Sequence, residues 1–251
     1  MRAYTIARDV ADLDAIRAEL GAGKVILVGN SFGGKLTANY MAAHPDRVAK
    51  AVISSPIAIW SPAFKGPANL TTGGETDAKK AVKDSPQLRL VLDLLKYAGP
   101  QAVSALVPER TLDRIAQEFV GDLDMRAGCQ NGHAPEYEKN SGGVGFWANI
   151  ATTVDSQRVS DPRPALRKVT APVLVLRAQC DYVSWNVTRE YRDLLPNAVL
   201  LPIRTPAIGS TSTSRRSTSR QSEPSCSTSR CPARPTRASK RRGRAQSRVV
   251  V

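Results

Sequence analysis

Three residue types in this chain could do chemistry together: a serine set between glycines, an acid placed after a strand, and a histidine. Gly29-Asn30-Ser31-Phe32-Gly33 fits G-x-S-x-G, a pattern that needs a strand running into it and a helix running out. Val25 to Val28 supply the strand, an apolar run that predicts burial on both faces of a parallel sheet. Leu36 to Ala43, free of Gly and Pro, supply the helix. A serine at such a turn has a strained backbone, so Gly29 and Gly33 are expected to be glycine to avoid collision. Its Oγ stands above the sheet at a helix N-terminus, where developing negative charge is favoured. That is the setting of a nucleophile. Asp181 follows the predicted strand Ala171–Arg177, and the carboxyl ends of strands are where open α/β sheets build their sites. It is the candidate orienting acid, against the plainer reading of an aspartate that starts a turn. No convincing general base is found. His44 ends a helix ahead of Pro45, and His133, in the loop Asn131-Gly132-His133-Ala134-Pro135, reads more simply as a solvated loop residue. His133 is the weaker candidate that remains.

The elements that must position these groups follow from periodicity. Ile6, Val10, Leu13, Ile16 and Leu20 mark one face of an amphipathic helix over 5–20, stopped by Gly21. The elbow strand and helix come next, then a strand over Val48–Ser54, so residues 1–56 alternate as a parallel α/β sheet does. Residues 57–165 read as a helical insertion. Gln87–Tyr97 and Thr111–Val120 carry helical apolar spacing, and the chain between and after them reads as irregular. Residues 166–203 return to sheet, with strands at 171–177 and 198–203 around a helix at Val187–Leu195.

The chain has 251 residues, 41% of them hydrophobic, which suits one sizeable α/β domain. No apolar run approaches the ~20 residues of a membrane span, and no signal-peptide pattern follows Met1, so a cytoplasmic protein is expected. Cys129, Cys180, Cys226 and Cys231 show neither Cys-x-x-Cys spacing nor nearby histidines, which argues against a metal site and a disulfide framework. No cofactor motif appears. Of the net charge of +14, +11 lies in residues 204–251, so residues 1–203 carry only +3.

Taken together, A-D-L-D-A-I-R-A-E-L-G-A-G-K-V-I-L-V-G-N-S-F-G-G, H-P-D-R-V and A-P-V-L-V-L-R-A-Q-C-D-Y resemble the α/β-hydrolases of the proline iminopeptidase and tripeptidyl-aminopeptidase group over about residues 3–203. The resemblance implies a serine hydrolase, with Ser31 as nucleophile and the Phe32 backbone N–H as an oxyanion donor. Asp181 would hold a histidine in its productive tautomer. It implies a cap over 57–165 that shapes the pocket, with Glu136, Glu138 and Trp147 as candidate substrate contacts. The expected substrate is a small peptide, an aminoacyl compound or an ester. A serine at the elbow argues against the dehalogenase branch, which uses aspartate there.

Two departures from that family set further expectations. Its members carry strands upstream of the first helix seen here, with a His-Gly-Gly-Pro-Gly-like loop that supplies a second oxyanion N–H; their absence predicts an open edge beside the elbow strand. Its histidine lies in a Gly-His turn just after the last strand. Here the chain turns Ser/Thr/Arg/Pro-rich after Ile203, with Ser-Thr-Ser-Arg at 217–220 and again at 227–230. Such a stretch cannot bury a core, and 204–251 is expected to be a disordered tail that packs against nothing. Arg204 to Gly209 can be encoded as CGG ACG CCG GCC ATC GGC. One additional C after the Ile203 codon turns this into Pro-Asp-Ala-Gly-His-Arg, the missing turn. The tail thus reads as out-of-frame translation. The alternatives are a non-catalytic remnant, a carboxylesterase and, last, a nucleic-acid binder using the arginines; that tail has no aromatics on which bases could stack.

Overall fold

The computed structural model describes residues 4–63, 79–80, 82–127, 145–178, 181, 183–203 and 248–250. The predicted alternation is present: α1 (Ile6–Glu19), β1 (Lys24–Asn30), α2 (Phe32–Ala43) and β2 (Val48–Ser54). Thr5 starts α1 by accepting the Arg8 N–H on its Oγ1 at 3.1 Å. The insertion holds α3 (Pro86–Tyr97), α4 (Gly99–Leu106), α5 (Glu109–Ala127) and α6 (Phe146–Asp155). After it come α7 (Arg163–Leu166), β3 (Val173–Ala178), α8 (Trp185–Leu194), β4 (Ala198–Ile203) and β5 (Arg248–Val250). The sheet order is β4-β3-β2-β1-β5 with every pair parallel. This is an α/β fold, a parallel sheet with a helical insertion.

Two cores form. One joins Val25 and Leu27 of β1, Ile53 of β2 and Val173 and Val175 of β3 to apolar residues of α1, α2, α7 and α8. The other belongs to the insertion: Leu88, Val91, Val103, Leu112, Ile115 and Phe146 pack together. Below the elbow, Asp14 of α1 accepts from Tyr40 Oη of α2 at 2.9 Å and pairs with Arg17 and Arg47. Those partners hold its carboxyl well below the usual range and fix α1 against α2.

The structure corrects several expectations. Gly99–Leu106, read as irregular, is helical, because Pro100 sits in its first turn where no N–H is needed. Phe146 and Trp147 open α6 instead of ending a loop. The apolar stripe of α1 is buried only at Ile6 and Val10, with Leu13 half-buried; Ile16 and Leu20 are half exposed. The elbow strand is not buried on both faces: Val25 and Leu27 are buried while Val28 is 55% exposed. The helices that share a core with the sheet all lie on the face of Val25 and Leu27, and the alternate residues of β1 and β4 stay open. Finally, the far end of the tail does pack. Arg248–Val250 pairs with Lys24–Ile26, so a β-branched segment takes the edge that β1 would otherwise leave open. Residues 204–247 lie outside the described residues.

Candidate active site

Ser31 sits between β1 and α2 with φ 52° and ψ −113°. Only Ser31 and Ser55 have positive φ among the described non-glycine residues, a strain of roughly 1–3 kcal/mol each. Bonds on both sides hold it. The Ser31 N–H donates to the Ser54 carbonyl at 3.0 Å, and the Ser31 carbonyl accepts from Gly34 at 3.1 Å and Ile57 at 3.3 Å. Its hydroxyl makes no capping bond to α2, which leaves Oγ to do chemistry. Phe32 is the first residue of α2, so its N–H is one of the four that no intrahelical carbonyl can satisfy.

The glycines divide differently from expectation. A Cβ on Gly29 would lie 2.3 Å from the Gly33 carbonyl oxygen and 2.6 Å from Thr37 Oγ1. A Cβ on Gly33 would meet nothing within 4 Å. The second crowded position is Gly34, where a Cβ would stand 2.8 Å from Pro56 Cβ and 2.9 Å from Ile53 Cγ2. The close approach is between helix and strand. It falls on the last residue but one of β1 and on the third residue of α2.

Asp181 follows β3, which is separated from β1 by β2 alone. Its Oδ1 accepts the Val183 N–H at 2.8 Å, and the Ser55 side chain favours its charged form. Ser55 and Arg177 were not singled out from sequence. Arg177 Nη1 donates to Thr188 Oγ1 and Nη2 to the Val183 carbonyl, both at 2.7 Å. Its nearest approach to Asp181 Oδ2 is 3.5 Å, too long for a good hydrogen bond. Among the described residues Oδ2 is therefore buried with no hydrogen-bond donor. Burial pushes the Asp181 carboxyl up, against the opposing pull of Val183, Ser55 and Arg177.

A pH prediction follows. Because the folded-state pKa lies above the unfolded one, the folded chain holds the extra proton between them. Stability attributable to Asp181 is full below about pH 3.8 and is lost as pH rises through its folded-state pKa. Asp181→Asn will raise the thermal midpoint at pH 7 and leave it nearly unchanged at pH 3. A midpoint that falls at pH 7 would contradict the direction.

The remaining candidates fall elsewhere. His44 caps the C-terminus of α2 with its ring 5.0 Å from that of Tyr40. His133, Glu136 and Glu138 lie outside the described residues. Trp147 stands edge-on to Phe146 at 5.2 Å. It lines a groove of about 720 Å³ with Tyr4, Pro100, Ser104 and Glu109, a lining that includes neither Ser31 nor Asp181. Among the described residues no His/Cys/Asp/Glu cluster could hold a metal, and no helix is long and apolar enough to cross a membrane.

Comparison with known proteins agrees with this geometry at the level of fold. The alpha/beta hydrolase fold family matches residues 2–205. No curated protein matches the chain. Among solved structures, an alpha/beta fold family hydrolase from Bacillus anthracis shares 18% identity at a TM-score of 0.48, covering 80% of this chain and 66% of that one. A putative non-heme bromoperoxidase from Mycobacterium tuberculosis shares 21% at 0.42, covering 80% and 65%. A structure from work on carboxylesterases of Nitrososphaera gargenis shares 20% at 0.44, covering 80% and 63%. The chain thus spans about two thirds, or slightly less, of the length of the structures it matches. With the family match extending over most of its residues, the chain belongs to the alpha/beta hydrolase fold family.

Proposed function

We propose that this chain is a serine hydrolase by construction, acting through an acyl-enzyme on Ser31 and lacking its base in the present reading frame. The observation that carries the proposal is the buried Oδ2 of Asp181, which has no donor among the described residues. An imidazole Nδ1–H is the donor that a nucleophile's orienting acid accepts. In the proposed reaction, Ser31 Oγ attacks the substrate carbonyl while an imidazole takes its proton. The Phe32 N–H stabilises the oxyanion, the protonated leaving group departs, and water then hydrolyses the ester. No cofactor takes part. The base is assigned to the histidine that appears after Ile203 when one C is restored to the gene.

For substrate we favour a small aminoacyl amide of the kind cleaved by proline iminopeptidases, on the strength of the elbow and strand motifs. Short acyl esters, the substrates of a carboxylesterase, are the second choice. A specific observation favours a non-catalytic remnant for the chain as it stands: His44, the one described histidine, packs on Tyr40 at the far end of α2. The test compares a prolyl arylamide with a p-nitrophenyl ester on the frame-restored protein and its Ser31→Ala variant. Preferential arylamide cleavage that vanishes in Ser31→Ala is the expected result. Ester cleavage alone would move the assignment to a carboxylesterase. Neither activity would leave the remnant reading.

A further inference from the structure

Lys35 is a fully buried lysine on the helix that carries the nucleophile, and the proposed chemistry does not use it. Its Nζ donates to Ser61 Oγ at 2.5 Å, and Ser61 Oγ lies 3.1 Å from Ser156 Oγ. Ser156 Oγ in turn donates to the Thr153 carbonyl at 2.7 Å. The direction of this chain of bonds is fixed from its far end. A carbonyl can only accept, so the Ser156 proton is committed to Thr153 and Ser156 Oγ must accept from Ser61. The single proton of Ser61 is then spent, and Ser61 can only accept from Lys35. Lys35 is therefore a donor in this arrangement and does not act as a base on Ser61. This excludes a second serine–lysine nucleophile.

The three residues come from three places. Lys35 lies one turn beyond Ser31. Ser61 lies on the stem that leads from β2 into the insertion, and Ser156 closes α6 on the stem that leads out. The stems are joined again where Trp60 Nε1 donates to the Val159 carbonyl at 3.0 Å. The outgoing stem is tied to α1 by the Ile6 N–H donating to Asp155 Oδ2 at 2.9 Å. We infer that Lys35 is a positioning residue that fastens both stems of the helical insertion to the nucleophile's own helix through a directed Lys35–Ser61–Ser156 relay.

Burial lowers the Lys35 pKa to about 8 from the ordinary 10.5, while the field of Asp155 pulls it upward. Asp155 is the charged group that bears on Lys35, with Asp9 of α1 facing Asp155 behind it. The closed stems thus favour the neutral amine, which still donates to Ser61. Opening them lets water reach an ammonium. The unfolded or opened state holds more protons between about pH 8 and 10.5, so closure tightens as pH rises through that window and is weakest below it.

Hydrogen exchange on the full chain tests this at the amides of Ile57, Ser156 and Val159, corrected for intrinsic rates. Ser61→Ala removes the acceptor for a buried donor and will speed exchange at both stems by on the order of tenfold. Ser61→Thr, which keeps the hydroxyl, will restore it, and sheet amides such as Val175 will not move. In the wild type, protection at the stems will rise between pH 8 and 10.5, and in Lys35→Met that pH dependence will disappear. Should Lys35→Met fail to fold, the Ser61→Ala and Ser61→Thr pair carries the test alone. Unchanged exchange at both stems in Ser61→Ala, a change at one stem only, or a pH dependence that persists in Lys35→Met would overturn the inference.

Discussion

Gly29→Ala will destabilise the chain by on the order of 3 kcal/mol or more, whereas Gly33→Ala will change stability by less than about 1 kcal/mol. The two glycines are equivalent in the motif and unequal in the structure. The new methyl at Gly29 would lie 2.3 Å and 2.5 Å from the carbonyl oxygen and carbon of Gly33. Those are backbone atoms of the first turn of α2, and they cannot swing aside as a long side chain would. Relief requires moving the helix off the strand, and overpacking that forces backbone shifts costs typically 1–3 kcal/mol and sometimes more. The same shift would displace Ser31 and Phe32, so probe reactivity at Ser31 should fall with stability. At Gly33 the methyl enters open space, and replacing glycine within a helix favours folding by up to ~1 kcal/mol. Urea unfolding midpoints of the two variants decide it. Equal midpoints would mean that the elbow does not depend on this close approach.

The contrast between those glycines shows what the sequence could carry. Strand, turn and helix around Ser31 were legible because apolar run, glycine and uninterrupted helix each point to one local structure. The strand before Asp181 was legible for the same reason. What the motif could not convey is which atoms come within van der Waals distance once α2 lies on β1 and β2, so Gly34 went unnoticed. Ser55, Arg177 and Lys35 were missed because their significance is tertiary. A serine at the end of β2, an arginine on β3 and a lysine on a helix read as ordinary surface residues until the fold buries them. The exposed alternate face of β1 was misread because Val25 to Val28 is apolar throughout. The run says that both faces suit burial, and it cannot say that the helices sharing a core with the sheet all settle on one.

The second large effect concerns the base. Under the proposed function, inserting one C after the Ile203 codon will raise the rate of acylation at Ser31 by roughly 10³-fold or more. A serine hydroxyl without a base stays protonated and is a poor nucleophile, and loss of one triad member typically leaves only weak residual catalysis. The imidazole so introduced would meet partners already present, donating its Nδ1–H to Asp181 Oδ2 and accepting the Ser31 hydroxyl proton at Nε2. Asp181 Oδ2 is buried and lacks a donor among the described residues, and Ser31 Oγ is not engaged in capping α2. Asp181→Asn in the frame-restored protein should remove most of the gain while leaving Ser31 in place, because an amide would favour the wrong tautomer of the histidine.

The most direct measurement is the rate at which a fluorophosphonate probe labels Ser31, read by intact mass in the 251-residue chain, its frame-restored counterpart and the Ser31→Ala variant of each. The account predicts slow labelling of the chain as it stands, labelling of one equivalent at least 10³-fold faster once the frame is restored, and none in either Ser31→Ala variant. Labelling of the 251-residue chain at the rate of an ordinary serine hydrolase would contradict it. A base would then have to be found within the present sequence.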